Sequence, residues 1–243
     1  MSVADFTRSI EAAADQPTAL RSRITDVLTR IADASRAAGR RPEDVTLVAV
    51  SKTVDRRAVD AALALGIRHF GENRVQDASR KLGDPLPAGA CLHLIGQLQS
   101  NKAKPAAALF DIIESVDRPS VIDALEKAAE RNGQPLPVLL QVNVAREPQK
   151  AGCDPDQAAS LMARLAQSPS LTPQGLMTMA PLVADPEDAR PIFAGLRTIQ
   201  HKLQRQFPAA DLHTLSMGMT NDFHIAIEEG ATSVRIGRAI FGP

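Results

Sequence analysis

Several residue types are scarce or missing in this chain of 243 residues. It contains no Trp and no Tyr, its aromatic residues are seven Phe, and 28 Lys and Arg balance 28 Asp and Glu. A neutral chain with so few aromatic rings argues against a nucleic-acid module built on basic stripes and stacking platforms. The missing Tyr also removes one common general acid or base.

Cysteines and long apolar runs are scarce as well. Cys91 and Cys153 lie far apart and form no C-x-x-C motif, which suits a reducing cytosol better than a disulfide framework. No stretch approaches the ~18 apolar residues of a membrane span, and the first residues do not form a signal peptide. The five His have neither H-x-H nor H-x-x-x-H spacing, so no metal site is expected. The sequence predicts a cytoplasmic protein that binds no membrane.

What the chain does contain is a regular alternation of two patterns. Residues 1–18 are predicted as a flexible arm and residues 19–38 as an amphipathic helix. Eight short apolar runs then alternate with segments of helical period, which predicts one α/β domain over 19–243, a (β/α)8 TIM barrel with an extra N-terminal helix. An open doubly wound sheet is the main rival, but its G-x-G-x-x-G turn is missing. The predicted strands are 45–50, 67–70, 92–95, 112–116, 138–144, 175–179, 213–217 and 233–236.

The polar face of the first helix is rich in arginine. We interpret it as solvated surface rather than as a contact for nucleic acid or membrane. Its arginines are Arg21, Arg23, Arg30 and Arg36.

In a TIM barrel the chemistry lies on the loops at the C-terminal ends of the strands. The first predicted strand ends in Ser51-Lys52, so an ammonium group stands at the barrel mouth with apolar walls behind it. Desolvation of that kind lowers the pKa of a lysine and makes its amine a nucleophile towards aldehydes. A lysine that extends into solvent is an equal alternative.

Other strand ends carry amides and carboxylates, which together predict a polar pocket at the same rim. Each one alone also fits a loop hydrogen bond or a helix cap, and Ser100 and Asn101 in particular could cap the helix that follows them. The residues are Glu72, Asn73, Gln97, Gln99, Ser100, Asn101, Lys102, Gln141 and Asn143.

Glycines follow the seventh and eighth strands, in Ser216-Met217-Gly218 and in Gly237-Arg238. Loops at these two positions form the usual phosphate cradle of the fold, although tight turns alone would also explain the glycines. Arg235 stands inside an apolar strand, and a barrel-facing arginine needs a ligand atom or a carboxylate. A reactive lysine, a phosphate cradle and this cation fit the aldehyde, phosphate and ring nitrogen of pyridoxal 5'-phosphate (PLP).

Several motifs resemble those of the pyridoxal phosphate homeostasis protein family, which is related to the barrel domain of alanine racemase. They are L-V-A-V-S-K, H-F-G-E-N, H-L-I-G-Q-L-Q-S-N-K, L-S-M-G-M and V-R-I-G-R-A-I-F-G. The resemblance implies that Lys52 carries PLP as a Schiff base, that Arg235 lies near the pyridine nitrogen and that Asn73 lies near the ring. It places the phosphate at Ser216, Met217, Gly218, Gly237 and Arg238.

Three positions depart from the pattern of the family. Arg238 stands where many relatives have Thr, Arg74 follows G-E-N where many have Tyr, and His224 stands where an acid is common. These departures bear on the contacts to phosphate and leave Lys52 unaffected.

The resemblance also bears on catalysis. The racemase uses a second base, a Tyr from an additional domain, whereas this sequence has no Tyr and ends just after the eighth strand. The favoured function is storage or delivery of PLP without robust turnover, by a monomer whose partners are PLP-accepting apo-enzymes. One alternative is a single-domain PLP enzyme, such as a weak racemase with His93, Cys91 or water as base. Another is a class I aldolase that uses Lys52 without PLP.

Overall fold

Eight parallel strands form a closed barrel in the order in which they occur in the chain. The computed structural model describes residues 18–83, 85–130 and 133–242. The barrel closes where β8 pairs with β1, with Leu47 opposite Val234 and Ala49 opposite Ile236. The predicted TIM barrel is therefore confirmed. The strands are β1 Thr46–Val50, β2 His69–Glu72, β3 Cys91–Leu94, β4 Ile112–Val116, β5 Leu136–Gln141, β6 Leu171–Met177, β7 Thr214–Ser216 and β8 Ser233–Ile236.

Helices cover the outside of the barrel, and α1 (Thr18–Ala37) is the predicted extra helix before β1. Residues 1–17 of the predicted flexible arm lie outside the described residues, so the arm stays a prediction. Within the described part of the chain, no helix has both the length and the apolar character needed to cross a membrane. The helices after β1 are α2 Arg56–Ala64, α3 Val75–Lys81, α4 Ala103–Leu109, α5 Pro119–Ala129, α6 Ala158–Gln167, α7 Arg190–Gln206, α8 Phe223–Glu228 and α9 Arg238–Phe241.

Helix α1 packs against α8 and α9, beside the strands that close the barrel. Ile24 on its apolar face is fully buried, and burial of such a side chain contributes about 1.5–3 kcal/mol. Its arginine face is less solvated than the sequence indicates. Arg23 donates to the carbonyl oxygen of Ile240 at 2.7 Å, and the guanidinium of Arg30 lies 4.6 Å from the ring centroid of Phe223. Part of the arginine face therefore holds α1 on the barrel.

The strands place apolar side chains outside the barrel, whereas its interior holds several polar side chains together with apolar ones such as Val48, which is paired with Arg235. Phe70 and Leu94 are buried in the hydrophobic core between strands and helices. Ser216 on β7 donates to Glu114 on β4 at 2.5 Å, and strands this far apart in the barrel order meet only across its interior. Because successive strand residues point to opposite faces, His93 and Arg235 also face the interior.

Two prolines mark places where the predicted strand boundaries are wrong. The structure extends β6 back to Leu171, so Pro173 lies inside the strand opposite Val138. The register shifts immediately afterwards, where Leu139 pairs with Gly175, and such a bulge tolerates a proline that cannot donate to the ladder. Pro137, one residue before the predicted strand 138–144, is the second residue of β5.

Two helices have no counterpart in the sequence prediction. Helix α3 has seven residues and α9 has four, and helices of these lengths are too short to display a repeated apolar stripe in the sequence. Both lie directly after strand ends, so they help to shape the loops at the barrel mouth.

The bulge in β6 makes Gly175 a sensitive position. Its φ is +150°, and a Cβ there would lie 1.9 Å from the carbonyl oxygen of Thr214. We expect Gly175→Ala to lower the free energy of unfolding by at least about 2 kcal/mol, measured by chemical denaturation. Gly83→Ala is the control, since a Cβ at Gly83 meets no atom within 4 Å and should change stability by less than about 0.5 kcal/mol. Equal denaturation midpoints for the two variants would contradict this expectation.

Candidate functional site

A cavity of about 610 Å³ opens at the C-terminal ends of the strands, where the sequence predicts a polar pocket. This volume lies within the usual range for small-molecule sites. Its walls come from strand ends and from the loops that follow them. The lining residues that carry polar side chains are Lys52, Thr53, Asn73, Gln97, Gln141, Thr220, Asn221, Asp222, Arg235 and Arg238.

Lys52 lies in the cavity wall two residues after β1 ends. It is exposed, and no hydrogen bond or ion pair engages its amine among the residues that the structure describes. Of the two alternatives from the sequence, the structure therefore agrees with the solvent-accessible lysine rather than with the desolvated one. The amine is free to react with a molecule that enters the cavity.

A buried ion pair fixes the backbone that leads into Lys52. The Ser51 amide donates to the carbonyl oxygen of Gly71 at 3.0 Å, and its hydroxyl donates to Glu72 Oε1 at 2.5 Å. Lys81 Nζ donates to the same Glu72 oxygen at 2.6 Å and to the Ser51 carbonyl oxygen at 2.5 Å. Glu72 is fully buried and does not line the cavity, so its predicted place in the polar rim is wrong.

Arg235 faces the barrel interior and reaches the cavity from β8. Its Nη1 donates to Ser216 Oγ at 2.6 Å and its Nη2 to the carbonyl oxygen of Thr178 at 2.7 Å. Glu114 Oε2 lies 4.0 Å away. Burial lowers the pKa of Arg235 from its usual value, whereas Glu114 and Asp222 oppose that change. An arginine remains charged in such a setting, and it has donors beyond these two bonds.

A row of hydrogen bonds continues from Arg235 through the barrel. Glu114 accepts from Ser216 through Oε2, and its Oε1 lies 2.7 Å from His93 Nδ1. His93 Nε2 lies 2.9 Å from His69 Nδ1. Burial alone would lower the pKa of His93, but hydrogen bonds to Cys91 and Glu114 outweigh it and raise this pKa. Burial, and then the proximity of His93, lower the pKa of His69 to about 4.

His93 and Cys91 were the two side chains that the sequence offered as a racemase base. Both lie on β3, and neither is among the described residues that line the cavity. Within the described chain, a proton acceptor at the cavity would have to be another group.

The loops after β7 and β8 contribute to the cavity in different ways. Gly237 and Arg238 line it directly. Gly218 lies behind the wall with φ of +92°, where a Cβ would be 2.6 Å from Ala226 Cβ, and its carbonyl oxygen accepts from the Arg235 amide at 3.0 Å. The structure therefore brings five of the eight predicted site residues to the cavity, Lys52, Asn73, Arg235, Gly237 and Arg238. The other three, Ser216, Met217 and Gly218, lie behind the wall.

Of the predicted rim amides, Asn73, Gln97 and Gln141 line the cavity. Gln141 also donates to the Ala151 carbonyl oxygen at 3.1 Å. Asn143 instead stabilises its own loop, because its amide donates to the carbonyl oxygen of Glu147 at 2.8 Å.

The predicted capping role of Ser100 and Asn101 is wrong. Both residues lie inside a 3-10 turn, Ser100–Lys102, whose N-cap residue Gln99 forms no side-chain cap bond. Helix α4 follows directly, with Lys102 at its N-cap and again no side-chain bond. The continuous turn removes the need for a polar cap.

Sequence reasoning missed two parts of the cavity wall. Asp222, the residue before α8, accepts from the Met219 amide at 2.6 Å, and burial raises the pKa of its carboxyl. Leu182 after β6 also lines the cavity and is 86% exposed, which is unusual for a large apolar side chain. The only available signal for both was their place after a predicted strand.

Comparison with known proteins identifies the family. The model of the alanine racemase N-terminal domain family matches residues 27–243. A protein of Aquifex aeolicus named pyridoxal phosphate homeostasis protein is 40% identical over 220 residues, 90% of this chain and 96% of that one. A Pseudomonas aeruginosa protein of the same name is 42% identical over 219 residues, 90% of this chain and 93% of that one. This chain belongs to the pyridoxal phosphate homeostasis protein family.

A solved structure of the family agrees with the barrel described above. PipY of Synechococcus elongatus, solved with PLP bound, is 40% identical and superposes with a TM-score of 0.76 over 87% of this chain and 100% of that one. D-threonine aldolase from Filomicrobium marinum is only 18% identical, with a TM-score of 0.71 over 92% of this chain and 60% of that one, so this likeness shows the fold alone.

The ion pair behind Lys52 can be tested through stability. We expect Lys81→Met to lower the free energy of unfolding by about 3–5 kcal/mol, because it leaves the fully buried Glu72 carboxylate without its cation. The double variant Lys81→Met/Glu72→Leu should recover part of that loss. The measurement is urea denaturation, with Lys127→Met on an exposed position as control. A Lys81→Met protein as stable as this control would contradict the role assigned to the ion pair.

Proposed function

We propose that this chain binds PLP through Lys52 and takes part in intracellular PLP homeostasis by storing or delivering the cofactor. The observation that carries the proposal is a lysine at the mouth of a cavity that also contains Arg235 and Arg238, with no partner for its amine in the described part of the chain. An amine and two cations in a cavity of about 610 Å³ suit a small aromatic aldehyde that carries a phosphate. The names of the relatives and the PLP bound to PipY support the same cofactor.

The phosphate end of the cofactor is assigned to the loops after β7 and β8. A Cβ at Gly237 would lie 3.1 Å from the Val50 carbonyl oxygen, so glycine keeps the backbone accessible beside Arg238. Arg238 supplies a cation where many relatives have a hydroxyl. Ser216, Met217 and Gly218 support the site from behind the cavity wall, Ser216 through its hydrogen bond with Arg235.

The ring end of the cofactor is assigned to Arg235 and Asn73. When bound, PLP supplies an electron-withdrawing ring, and the strength of that effect depends on the partner of the ring nitrogen. Arg235 donates a hydrogen bond and keeps its own proton, because a guanidinium stays charged. The ring is then a weaker electron sink than one paired with a carboxylate, which favours holding the cofactor over turning over amino acids.

The bases that the sequence offered for a racemase do not reach the described cavity, which supports the same conclusion. The sequence contains no Tyr, and His93 and Cys91 are absent from the cavity lining that the structure describes. We therefore propose a carrier without robust catalytic turnover. Its expected partners are PLP-accepting apo-enzymes, its expected state is a monomer and its expected location is the cytoplasm. Light scattering of the purified chain measures the oligomeric state.

The role of Lys52 has a direct spectroscopic test. We expect the chain mixed with PLP to develop the visible absorption band of lysine-bound PLP, and Lys52→Ala to lose it entirely. Borohydride reduction followed by mass spectrometry of peptides should locate the attached mass on Lys52. Lys104→Ala, at an exposed position outside the cavity, is the control and should keep the band. A colourless wild-type mixture would favour the aldolase alternative and remove the basis of the proposal.

Exchange of the α-proton of an amino acid distinguishes a carrier from an enzyme. We expect the PLP-loaded chain, incubated with L- or D-alanine in deuterated water, to leave the α-proton signal in the NMR spectrum intact. An alanine racemase at equal concentration is the positive control. The same loaded chain should restore activity to a PLP-dependent apo-enzyme, whereas Lys52→Ala treated identically should not. Loss of the α-proton signal at an enzymatic rate would favour the weak racemase instead.

A further inference from the structure

A second group of reactive side chains lies at the opposite end of the barrel from the cavity. His69 and Cys91 are the first residues of β2 and β3, and the two residues are paired in register. His93 lies two residues further along β3 on the same face. The ligand atoms of these three side chains all lie within 4.8 Å of one another. None of the three is among the described residues that line the cavity.

The separation of the two imidazole nitrogens is close to that around a tetrahedral metal ion. Zinc binds imidazole nitrogen at about 2.0–2.1 Å, so two such nitrogens around one ion lie about 3.3 Å apart. His69 Nδ1 and His93 Nε2 are 2.9 Å apart in the structure, so the two nitrogens would have to move apart by about 0.4 Å to admit the ion. His69 is only partly buried, so its side chain is the one of the two imidazoles that would move.

A carboxylate already orients one of the ligands. Glu114 Oε1 lies 2.7 Å from His93 Nδ1, on the side of the ring away from the cluster. Metal-binding histidines are commonly held in this way, because a hydrogen bond at one nitrogen fixes the ring and directs the other nitrogen to the ion. Glu114 is held in turn by Ser216 at 2.5 Å, so the ring of His93 has little freedom.

The cluster can also be reached from solvent. His93 is buried, whereas His69 and Cys91 are both half-buried at the N-terminal end of the barrel. An ion can enter from that end without passing through the cavity. The three side chains leave one position of a tetrahedral ion for water, as in zinc sites with an open position.

We propose that His69, Cys91 and His93 form a site for Zn²⁺ at the N-terminal end of the barrel. A thiolate with two imidazoles is a donor set that suits zinc rather than magnesium or calcium. On binding, the thiol proton of Cys91 and the proton of the hydrogen bond between His69 Nδ1 and His93 Nε2 both leave, so that the sulfur and the two nitrogens coordinate the ion. The sequence search for H-x-H or H-x-x-x-H does not find this site, because its residues are joined by the pairing of two strands.

The test uses the full chain without a purification tag, titrated with Co²⁺ as a spectroscopic substitute for zinc. We expect saturation at one equivalent, with the absorption bands of tetrahedral Co²⁺ and a thiolate-to-cobalt charge-transfer band. Addition of Zn²⁺ should remove these bands by competition. Cys91→Ala should abolish the charge-transfer band, and His69→Asn should weaken binding at least tenfold.

Two matched variants serve as controls. Cys153→Ala removes the other, buried cysteine, and His201→Asn removes an exposed histidine on α7. Both should keep the titration of the wild-type chain, and thermal melting should show that all four variants are folded. The proposal is overturned if the wild-type chain gives no charge-transfer band, if Cys91→Ala keeps it or if Cys153→Ala loses it. Metal binding needs no PLP, so this result is independent of the function proposed for the cavity.

Discussion

A guanidinium enclosed inside a closed barrel must find acceptors in the barrel itself, and Arg235 is such a group. It meets Ser216 on the neighbouring strand β7 and the Thr178 carbonyl oxygen after β6, while Glu114 faces it from β4. Removing one partner of a buried charge costs about 3–5 kcal/mol, so these residues depend on one another. The interior of this barrel consequently contains a connected row of polar side chains beside apolar ones such as Val48, whereas in most TIM barrels branched apolar side chains dominate.

This polar row links the two ends of the barrel. Towards the C-terminal ends of the strands Arg235 reaches the cavity, and towards their N-terminal ends Glu114 holds the ring of His93. The two oxygens of Glu114 serve opposite ends, since Oε2 accepts from Ser216 and Oε1 contacts His93. A change of charge at either end therefore alters the electrostatic environment of the same Glu114 carboxylate.

The sequence predicts those features that follow from strand order and misses those that follow from side-chain direction. Lys52, Gly237 and Arg238 follow strand ends and line the cavity, as the strand order predicts. Met217 and Gly218 also follow a strand end but lie behind the wall, and Ser216 faces the barrel interior without reaching the cavity. The loop conformation that distinguishes these cases, like the exposure of Lys52, cannot be read from the sequence.

Pairing between strands is the second kind of information that the chain does not display. His69 and Cys91 stand opposite one another only because β2 and β3 align in one register. A shift of that register by one residue would turn one of the two side chains to the outside of the barrel. Likewise, the bulge that admits Pro173 into β6 exists only in the paired strands.

The anchoring of Ser51 has a kinetic consequence for any aldehyde held at Lys52. Its amide, hydroxyl and carbonyl groups are all hydrogen-bonded, so the backbone next to Lys52 has little freedom. Movement of the Lys52 amine at the cavity mouth therefore comes from rotation of the lysine side chain. A tethered amine of this kind has a high effective concentration at its own site. An aldehyde released from Lys52 would therefore rebind the same amine readily. A competing amine would displace Lys52 by attacking the bound aldehyde carbon directly rather than by capturing an aldehyde that has escaped.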